Sequence, residues 1–224
     1  MVLRALIFDV DGTLAETEEI HRDAFNRAFA EDGLPWHWDV DLYRELLRVT
    51  GGKERIRRYL EMDGVGPILD DDRIARLHAR KNEIYGETVR SGGCTLRPGV
   101  AELVRAARAS GLRTAISTTT SRPNVDALLA ATFPGEPDLF DPIVAGEDVV
   151  AKKPAPDAYI LAVEKLGLPV DACLALEDSR NGLTAARAAG LVTVVTPSLY
   201  TAHETFDGAA RVISDLTDFD LEAW

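Results

Sequence analysis

The sequence predicts an α/β fold in which a doubly wound parallel sheet is interrupted, directly after its first strand, by an all-helical insert. The first observation is the apolar run over residues 3–10, whose branched and aromatic side chains are typical of a buried parallel strand. The second is that residues 16–90 show helical spacing and no confident strand. The third is the alternation of strand and helix patterns after residue 91, which indicates a Rossmann-like sheet covered on both faces.

The insert contains four predicted helices. In the first of them an apolar stripe recurs at helical spacing, and Gly33-Leu34-Pro35 ends the helix. The helices are predicted over residues 17–32, 40–49, 53–62 and 71–89. A block of roughly 75 residues is long enough for a small domain. We therefore predict a helical cap domain over residues 16–90 and a core domain made of residues 1–15 and 91–224.

The remainder of the chain alternates between helices and strands. Pro98-Gly99-Val100 opens a helix that Gly111 closes. Strands are then predicted over residues 112–117, 143–145, 173–176 and 192–195, and helices over residues 123–132, 156–166 and 179–189. Open parallel sheets bind ligands at the carboxyl ends of their strands. Polar clusters follow several of these strands, so we expect the functional site at that edge.

The composition argues against several classes of function. The 224-residue chain carries a formal net charge of −12, which disfavours nucleic acid or an anionic membrane surface as a partner. No apolar run approaches about 18 residues, so we expect no segment that spans a membrane. Two distant cysteines, Cys94 and Cys173, and the lack of a signal-type N-terminal pattern predict a protein of the reducing cytoplasm.

The first strand ends in the carboxylates Asp9 and Asp11. Side chains alternate faces along a strand, so carboxylates two residues apart point the same way. Their repulsion and desolvation call for a compensating cation, and Mg²⁺ prefers oxygen ligands. Asp9 is the candidate nucleophile, because a carboxylate can attack phosphorus in line, and Asp11 is the candidate general acid and base. The alternative for an isolated Asp-x-Asp pattern is a solvated strand end.

A run of four hydroxyl side chains follows the strand predicted over residues 112–117. It consists of Thr118, Thr119, Thr120 and Ser121, directly before a predicted helix. Hydroxyls and backbone N–H groups at a helix N-terminus form a neutral seat for phosphate oxygens. Helix capping alone would explain one or two of these hydroxyls, but not four in succession.

Two further clusters follow later strands. Lys153, in the loop Lys152-Lys153-Pro154, would neutralise a transferring phosphate, although a basic pair is more often simply solvated. Glu177 and Asp178 end an apolar strand and would supply Mg²⁺ ligands together with Asp9 and the Asp11 carbonyl. Capping of the next helix is the alternative for Asp178.

These clusters together resemble the four ordered motifs of the haloacid dehalogenase superfamily. The matching stretches are Asp9-Val10-Asp11-Gly12-Thr13, the hydroxyl run at Thr118, Lys153-Pro154-x-Pro156-Asp157 and Leu176-Glu177-Asp178-Ser179-x-x-Gly182. The helical insert resembles the cap of the beta-phosphoglucomutase-like branch. The stretch Thr50-Gly51-Gly52-Lys53-Glu54-Arg55 is similar to the CbbY-type sugar-bisphosphate phosphatases, which accompany carbon fixation and act on xylulose 1,5-bisphosphate.

The resemblance implies a role for each matching residue. It implies an aspartyl phosphate on Asp9, acid and base catalysis by Asp11, phosphate binding by Thr118, charge stabilisation by Lys153, and metal binding by Glu177 and Asp178. The dehalogenases of the superfamily lack the second aspartate and need no Mg²⁺. The presence of Asp11 therefore argues against dehalogenation here.

The predicted cap contributes the candidate residues for substrate specificity. Glu18 and His21 lie one helical turn beyond the hinge, where His21 would bind a sugar hydroxyl or tune Asp11, or would be an ordinary exposed helix histidine. Further candidates for a second, non-transferring phosphate are Gly51, Gly52, Lys53, Arg55 and Lys81. Charges on helices are mostly solvated, which is the alternative for these residues.

The sequence therefore predicts a Mg²⁺-dependent phosphatase for a small sugar (bis)phosphate, with xylulose 1,5-bisphosphate as the substrate that the resemblance implies. The alternative is a sugar phosphomutase, which returns the phosphoryl group to the sugar instead of to water. A catalytically silent sugar-phosphate binding module is disfavoured by the intact Asp9, Asp11, Lys153 and Asp178. We expect a monomer.

Overall fold

The computed structural model of the chain describes residues 2–62, 68–217 and 219–224. A six-stranded parallel sheet forms its centre. The strands are β1 (Ala5–Phe8), β2 (Arg113–Ser117), β3 (Ile143–Val144), β4 (Cys173–Glu177), β5 (Val192–Val195) and β6 (Arg211–Val212), in the order β3-β2-β1-β4-β5-β6. Residues 63–67 of the predicted insert lie outside the described residues.

The first strand of the sequence lies in the interior of the sheet. β1 pairs with β2 on one side and with β4 on the other, and Phe8 is level with Ile116 and Leu176. All four residues of β1 are buried, which explains why its sequence is a continuous apolar run. Because the three strands are parallel, the residues that follow them meet at one edge of the sheet.

Helices cover both faces of this sheet. The described residues contain α1 (Glu18–Glu31), α2 (Val40–Leu46), α3 (Gly52–Leu60), α4 (Asp71–Arg90), α5 (Val100–Ala109), α6 (Arg122–Thr132), α7 (Asp157–Leu166) and α8 (Arg180–Ala188). Helices α5 and α6 pack with Leu6 and Phe8 on one face, whereas α7 and α8 pack with Ala5 and Ile7 on the other. This alternation along β1 confirms the predicted doubly wound α/β fold class.

Helices α1–α4, called the helical block below, have an aromatic core of their own. Phe25, Phe29, Trp36 and Trp38 are buried there, with ring centroids of Phe25 and Trp38 4.7 Å apart. Other side chains of α1 and α4, including Tyr85, join the core on the α5–α6 face of the sheet. The division of the chain into a cap domain and a core domain stays a prediction.

The two connections between the helical block and the sheet lie side by side. Ala15 forms an isolated antiparallel bridge with Leu96. The guanidinium of Arg97 donates a hydrogen bond to the Gly12 carbonyl and lies 3.3 Å from the Glu16 carboxylate. Arg97, whose side chain is 8% exposed, thus ties both connections together at the point where a hinge is expected.

Some element boundaries differ from the sequence-based predictions. β1 is shorter than the predicted strand over residues 3–10, and α2 ends at Leu46 rather than at residue 49. β6 was not predicted, because its two residues are exposed and form no apolar run. Such a short edge strand is defined by its pairing with β5, and not by its own residues.

The helices and the two cysteines bear on the expected environment of the chain. In the part of the chain that is described, no helix combines the length and the apolarity needed to cross a membrane. Cys94 and Cys173 are both free thiols, and Cys173 is buried.

Candidate active site

The carboxyl edge of the sheet faces the helical block across a cavity of about 470 Å³. The first strand leads directly into it, because Asp9 follows β1 and its N–H donates to the Leu176 carbonyl at 3.0 Å. Asp9, Asp11, Lys153 and Asp178 all line this cavity. The structure therefore brings together charged residues that come from three different loops of the chain.

Asp9 is held by a buried lysine. Lys153 Nζ donates to Asp9 Oδ1 at 2.7 Å, to the Ser117 carbonyl at 2.8 Å and to Glu177 Oε1 at 2.6 Å. Lys153 is only 3% exposed, so it is not the solvated basic residue of the alternative interpretation. Its ammonium group partly balances two carboxylates and fixes the position of one Asp9 oxygen.

Glu177 is fully enclosed by protein groups. Its Oε1 accepts hydrogen bonds from Lys153 and from the Tyr159 hydroxyl, each at 2.6 Å, and its Oε2 accepts from the Asp178 N–H at 3.2 Å. Gly182 must be a glycine, because a Cβ there would overlap the Glu177 carboxylate. Tyr159 was missed by the sequence analysis, since nothing in the sequence separates it from an ordinary core tyrosine of a helix.

The negative charge of the carboxylates at this edge exceeds the positive charge of the lysine between them. Oxygens of Asp9, Glu177 and Asp178 lie within 4.8 Å of one another. Burial raises the pKa of Asp9 to about 8; the Lys153 ammonium opposes this rise and the Glu177 carboxylate adds to it. Burial and the charges of Asp9 and Glu177 likewise hold the pKa of Asp178 well above its usual range. The donor set and its uncompensated charge therefore fit a hard divalent cation such as Mg²⁺.

Asp11 lies in a different environment from Asp9. It accepts hydrogen bonds from the hydroxyls of Thr17 and Thr120 and from His21 Nε2, the last at 3.0 Å. Burial would raise its pKa, but the charge and hydrogen bond of His21, with the two hydroxyl donors, lower the pKa below its usual value. Two aspartates separated by one residue thus have opposite pKa shifts, which suits them to different chemical roles.

His21 connects Asp11 with the helical block. It is buried rather than exposed, stacks on Tyr85 with ring centroids 4.2 Å apart, and places Nδ1 2.6 Å from Lys81 Nζ. Burial lowers the pKa of Lys81 to about 7, while the charge of Asp11 opposes the fall. Lys81 is therefore connected to Asp11 through His21.

The run of hydroxyls divides into two parts. Thr118 is buried, its Oγ1 accepts from the Thr120 N–H at 3.1 Å, and it is not among the residues that line the cavity. Thr119, Thr120 and Ser121 do line it. Ser121 stands at the N-cap position of α6 without making a side-chain cap bond, so capping does not account for these hydroxyls.

The other predicted cap residues lie on the cavity wall formed by the helical block. They are Glu18, Gly51, Gly52, Lys53, Arg55 and Lys81. Lys53 is exposed, whereas Arg55 is buried and donates from Nη1 to the Tyr43 hydroxyl at 3.0 Å. Tyr43 in turn donates to Glu18 at 2.8 Å. The Arg55 Nε group is buried without a hydrogen-bond partner in the described structure.

The loop after β5 supplies residues that the sequence analysis missed. Tyr200 and Thr201 line the cavity, and the Thr201 hydroxyl donates to the Asp178 carbonyl at 2.7 Å. No motif marks this loop, because it reaches the site through the tertiary packing of Tyr200 against the aromatic core of the helical block.

Comparison with known proteins places this geometry in context. The model of a family of hydrolases, the haloacid dehalogenase-like hydrolases, matches residues 3–190. The chain is 58% identical to protein CbbY of Rhodobacter capsulatus over 219 residues, which cover 97% of this chain and 95% of that protein. It is 49% identical to protein CbbY of Cereibacter sphaeroides over 219 residues, covering 97% and 94%.

Solved structures show the same similarity. The crystal structure of CbbY from Rhodobacter sphaeroides in complex with phosphate is 48% identical, has a TM-score of 0.93, and covers 97% of this chain and 96% of that chain. A variant of that protein in complex with xylulose-(1,5)bisphosphate matches equally well. The beta-phosphoglucomutase from Clostridium difficile shares the fold. It is 20% identical, has a TM-score of 0.80, and covers 99% of this chain and 95% of that chain.

Proposed function

Because the chain belongs to the haloacid dehalogenase-like hydrolase family, we propose that it is a Mg²⁺-dependent phosphatase of a small sugar bisphosphate that acts through an aspartyl phosphate on Asp9. The observation that carries this proposal is the position of Asp9 at the end of a central strand, facing the cavity and held by Lys153. The xylulose-(1,5)bisphosphate bound to a CbbY structure supports that sugar as the substrate.

The residues fit a two-step transfer. An Asp9 oxygen bonds to phosphorus while the bond from phosphorus to the sugar oxygen breaks, and Asp11 gives that oxygen its proton. Water then attacks the aspartyl phosphate, passes a proton to Asp11, and releases phosphate and the Asp9 carboxylate. Asp11 must be protonated for the first step, and an incoming anionic phosphate would favour this, because a neighbouring negative charge raises the pKa of a carboxyl group.

The charges of the site support phosphoryl transfer. Asp9, Glu177 and Asp178 would hold Mg²⁺, which would neutralise phosphate oxygens when bound. Lys153 keeps one Asp9 oxygen in place. Thr119 offers its hydroxyl to the oxygens of the transferring phosphate, whereas the Thr120 hydroxyl already donates to Asp11.

The opposite wall is suited to the second phosphate. Lys53, Arg55 and Lys81 place positive charge on the helical-block side of the cavity, and Gly51 and Gly52 allow the backbone to approach a ligand closely. In this proposal residues 16–90 move as a cap about the connections joined by Arg97, and closure excludes water from the site. We also propose that the enzyme is a monomer and that it acts in the cytoplasm. The two free cysteines support the proposed compartment.

The experiment that tests the proposal follows free phosphate and sugar-phosphate isomers together. Xylulose 1,5-bisphosphate and a panel of sugar mono- and bisphosphates are incubated with the enzyme in Mg²⁺, and parallel samples contain a chelator. We expect phosphate release from the bisphosphate, loss of the release on chelation, and recovery when Mg²⁺ is restored.

Two results would contradict this proposal. Formation of isomers that outruns phosphate release would assign the protein as a phosphomutase, since such an enzyme uses the same residues for transfer to sugar. Full turnover in the chelator would remove the role of the metal.

A further inference from the structure

We propose that the ion pair of Glu54 and Lys152 is a closure latch, which joins the helical block to the loop that carries Lys153. Lys152 Nζ lies 3.0 Å from Glu54 Oε1 and 3.2 Å from Glu54 Oε2, so one ammonium group contacts both carboxylate oxygens. Glu54 lies in α3, whereas Lys152 lies between β3 and α7. The pair therefore links the two sides of the cavity.

A second contact beside this pair strengthens the link. The Thr50 hydroxyl donates a hydrogen bond to the Lys153 carbonyl. Between Thr50 and Glu54 the backbone turns at Gly51, where φ is +93° and a Cβ would lie only 2.7 Å from Lys152 Nζ. The turn that precedes α3 is thus pressed directly against the Lys152–Lys153 loop.

The latch acts on the chemistry through Lys153. The same loop that Glu54 and Thr50 hold supplies the ammonium group that contacts Asp9 Oδ1 at 2.7 Å. When the helical block is shut, the loop is held from both sides, by the helical block outside and by Asp9 and Glu177 inside. Opening the block removes the outer contacts. Glu54 and Lys152 are therefore positioning residues, which act through Lys153.

The strength of the pair suits a device that must open again. The Lys152 side chain is 24% exposed and the Glu54 side chain 40%, and partly exposed pairs of this kind are weak. A weak latch favours the shut state without trapping product behind it. This inference rests on the proposed function for its link to catalysis, but the link between Glu54 and Lys152 is independent of the substrate.

The experiment compares Glu54→Gln, Lys152→Met and the charge-swapped double variant E54K/K152E with the wild type. Each single variant should lower kcat/KM for the sugar bisphosphate by about two- to fivefold, because each breaks the same pair. The double variant should recover most of the loss. Glu61→Gln is the matched control, since it breaks the exposed Arg58–Glu61 pair at the end of α3 and should change nothing.

A second measurement does not depend on the reaction. Small-angle X-ray scattering without substrate should give a larger radius of gyration for both single variants than for the wild type, and a wild-type value for the double variant. Single variants that equal the wild type in both measurements, or a double variant that stays as impaired as the single ones, would overturn the latch. If the wild type hydrolyses no sugar bisphosphate, the proposed function fails while scattering still decides the latch.

Discussion

The two walls of the cavity differ in how firmly their charged groups are held. On the sheet side, Asp9 and Glu177 are buried and both accept hydrogen bonds from the buried Lys153. On the helical-block side, Arg55 and Lys81 are also buried, but Lys53 is exposed. The partly exposed Glu54–Lys152 pair links this wall to the loop that carries Lys153. Bond making requires fixed distances, whereas admitting and releasing a substrate requires groups that can move. Four predictions, given in order of decreasing effect, test this difference.

Replacing Asp9 tests the fixed wall most directly. Asp9→Asn should lower phosphate release by a factor of at least about 1,000, because the proposed nucleophile is lost while the shape of the side chain is kept. The fold should persist, since Lys153 keeps its contacts with Glu177 and the Ser117 carbonyl. Steady-state phosphate release and circular dichroism measure the two effects. Retained turnover of Asp9→Asn with an intact fold would contradict the covalent mechanism.

Replacing Lys153 should lower both the phosphatase activity and the stability of the fold. Lys153→Met leaves Asp9 and Glu177 buried without their counter-charge, and breaking a buried pair in this way costs about 3 to 5 kcal/mol. Urea unfolding measures the loss in the free energy of unfolding. The matched control is Lys152→Met, whose pair is partly exposed and should contribute at most about 1 kcal/mol. Equal stability of the two variants would remove the distinction between the buried Lys153 pairs and the partly exposed pair that reaches the helical block.

Lys53 tests the mobile wall. Lys53→Met should raise KM for a sugar bisphosphate about tenfold, the effect of one lost charge–phosphate contact of about 1.4 kcal/mol. It should leave a monophosphate without the distal group almost unaffected. Arg57→Met, on the same helix but paired with Asp71, is the control that should change neither value. A similar rise in KM for the monophosphate would place Lys53 at the transferring phosphate instead.

His78 gives a pH test of the same wall. Burial and the nearby Lys81, Lys53 and Lys152 lower its pKa to about 3, so the folded state keeps it neutral. The unfolded state binds a proton below about pH 6.5, and stability from this group is therefore present above that pH and lost as pH falls towards 3.

The free energy of unfolding should fall less between pH 7 and pH 4 in His78→Asn than in the wild type, by at least about 1 kcal/mol. This follows because one pKa unit is worth about 1.4 kcal/mol. Urea unfolding at the two pH values measures it. His203→Asn is the control, because His203 is exposed at the rim of the cavity. An unchanged pH dependence in His78→Asn would show that His78 takes up its proton without cost in the folded state.

Much of the fold follows from patterns that are local in the sequence. The apolar run of β1, the alternation of strands and helices after residue 91, and the apolar stripe of α1 each predict an element that the structure contains. The limits are seen where an element depends on its neighbour. β6 is formed by pairing with β5, and α2 ends before the predicted boundary. Neither of these features leaves a periodic signal.

The chemistry at the edge of the sheet was predictable for a related reason. Asp9 lies at the end of the first predicted strand, Thr118 and Asp178 follow two later ones, and parallel pairing brings the ends of such strands together. Their proximity therefore follows once the sheet is assumed. Their individual roles do not: Thr118 Oγ1 accepts from the Thr120 N–H and Thr118 does not line the cavity, so its contact with phosphate stays a prediction.

The groups that gather at the carboxyl edge follow from the sequence alone, because a strand end is a local property and a parallel sheet aligns strand ends. The pairing of those groups depends on the tertiary packing. Glu177 shares one oxygen between Lys153 and Tyr159, and Lys152 contacts Glu54 across the cavity. These partners lie on different elements, and a hydrogen bond depends on distances between packed surfaces that no local pattern of residues encodes.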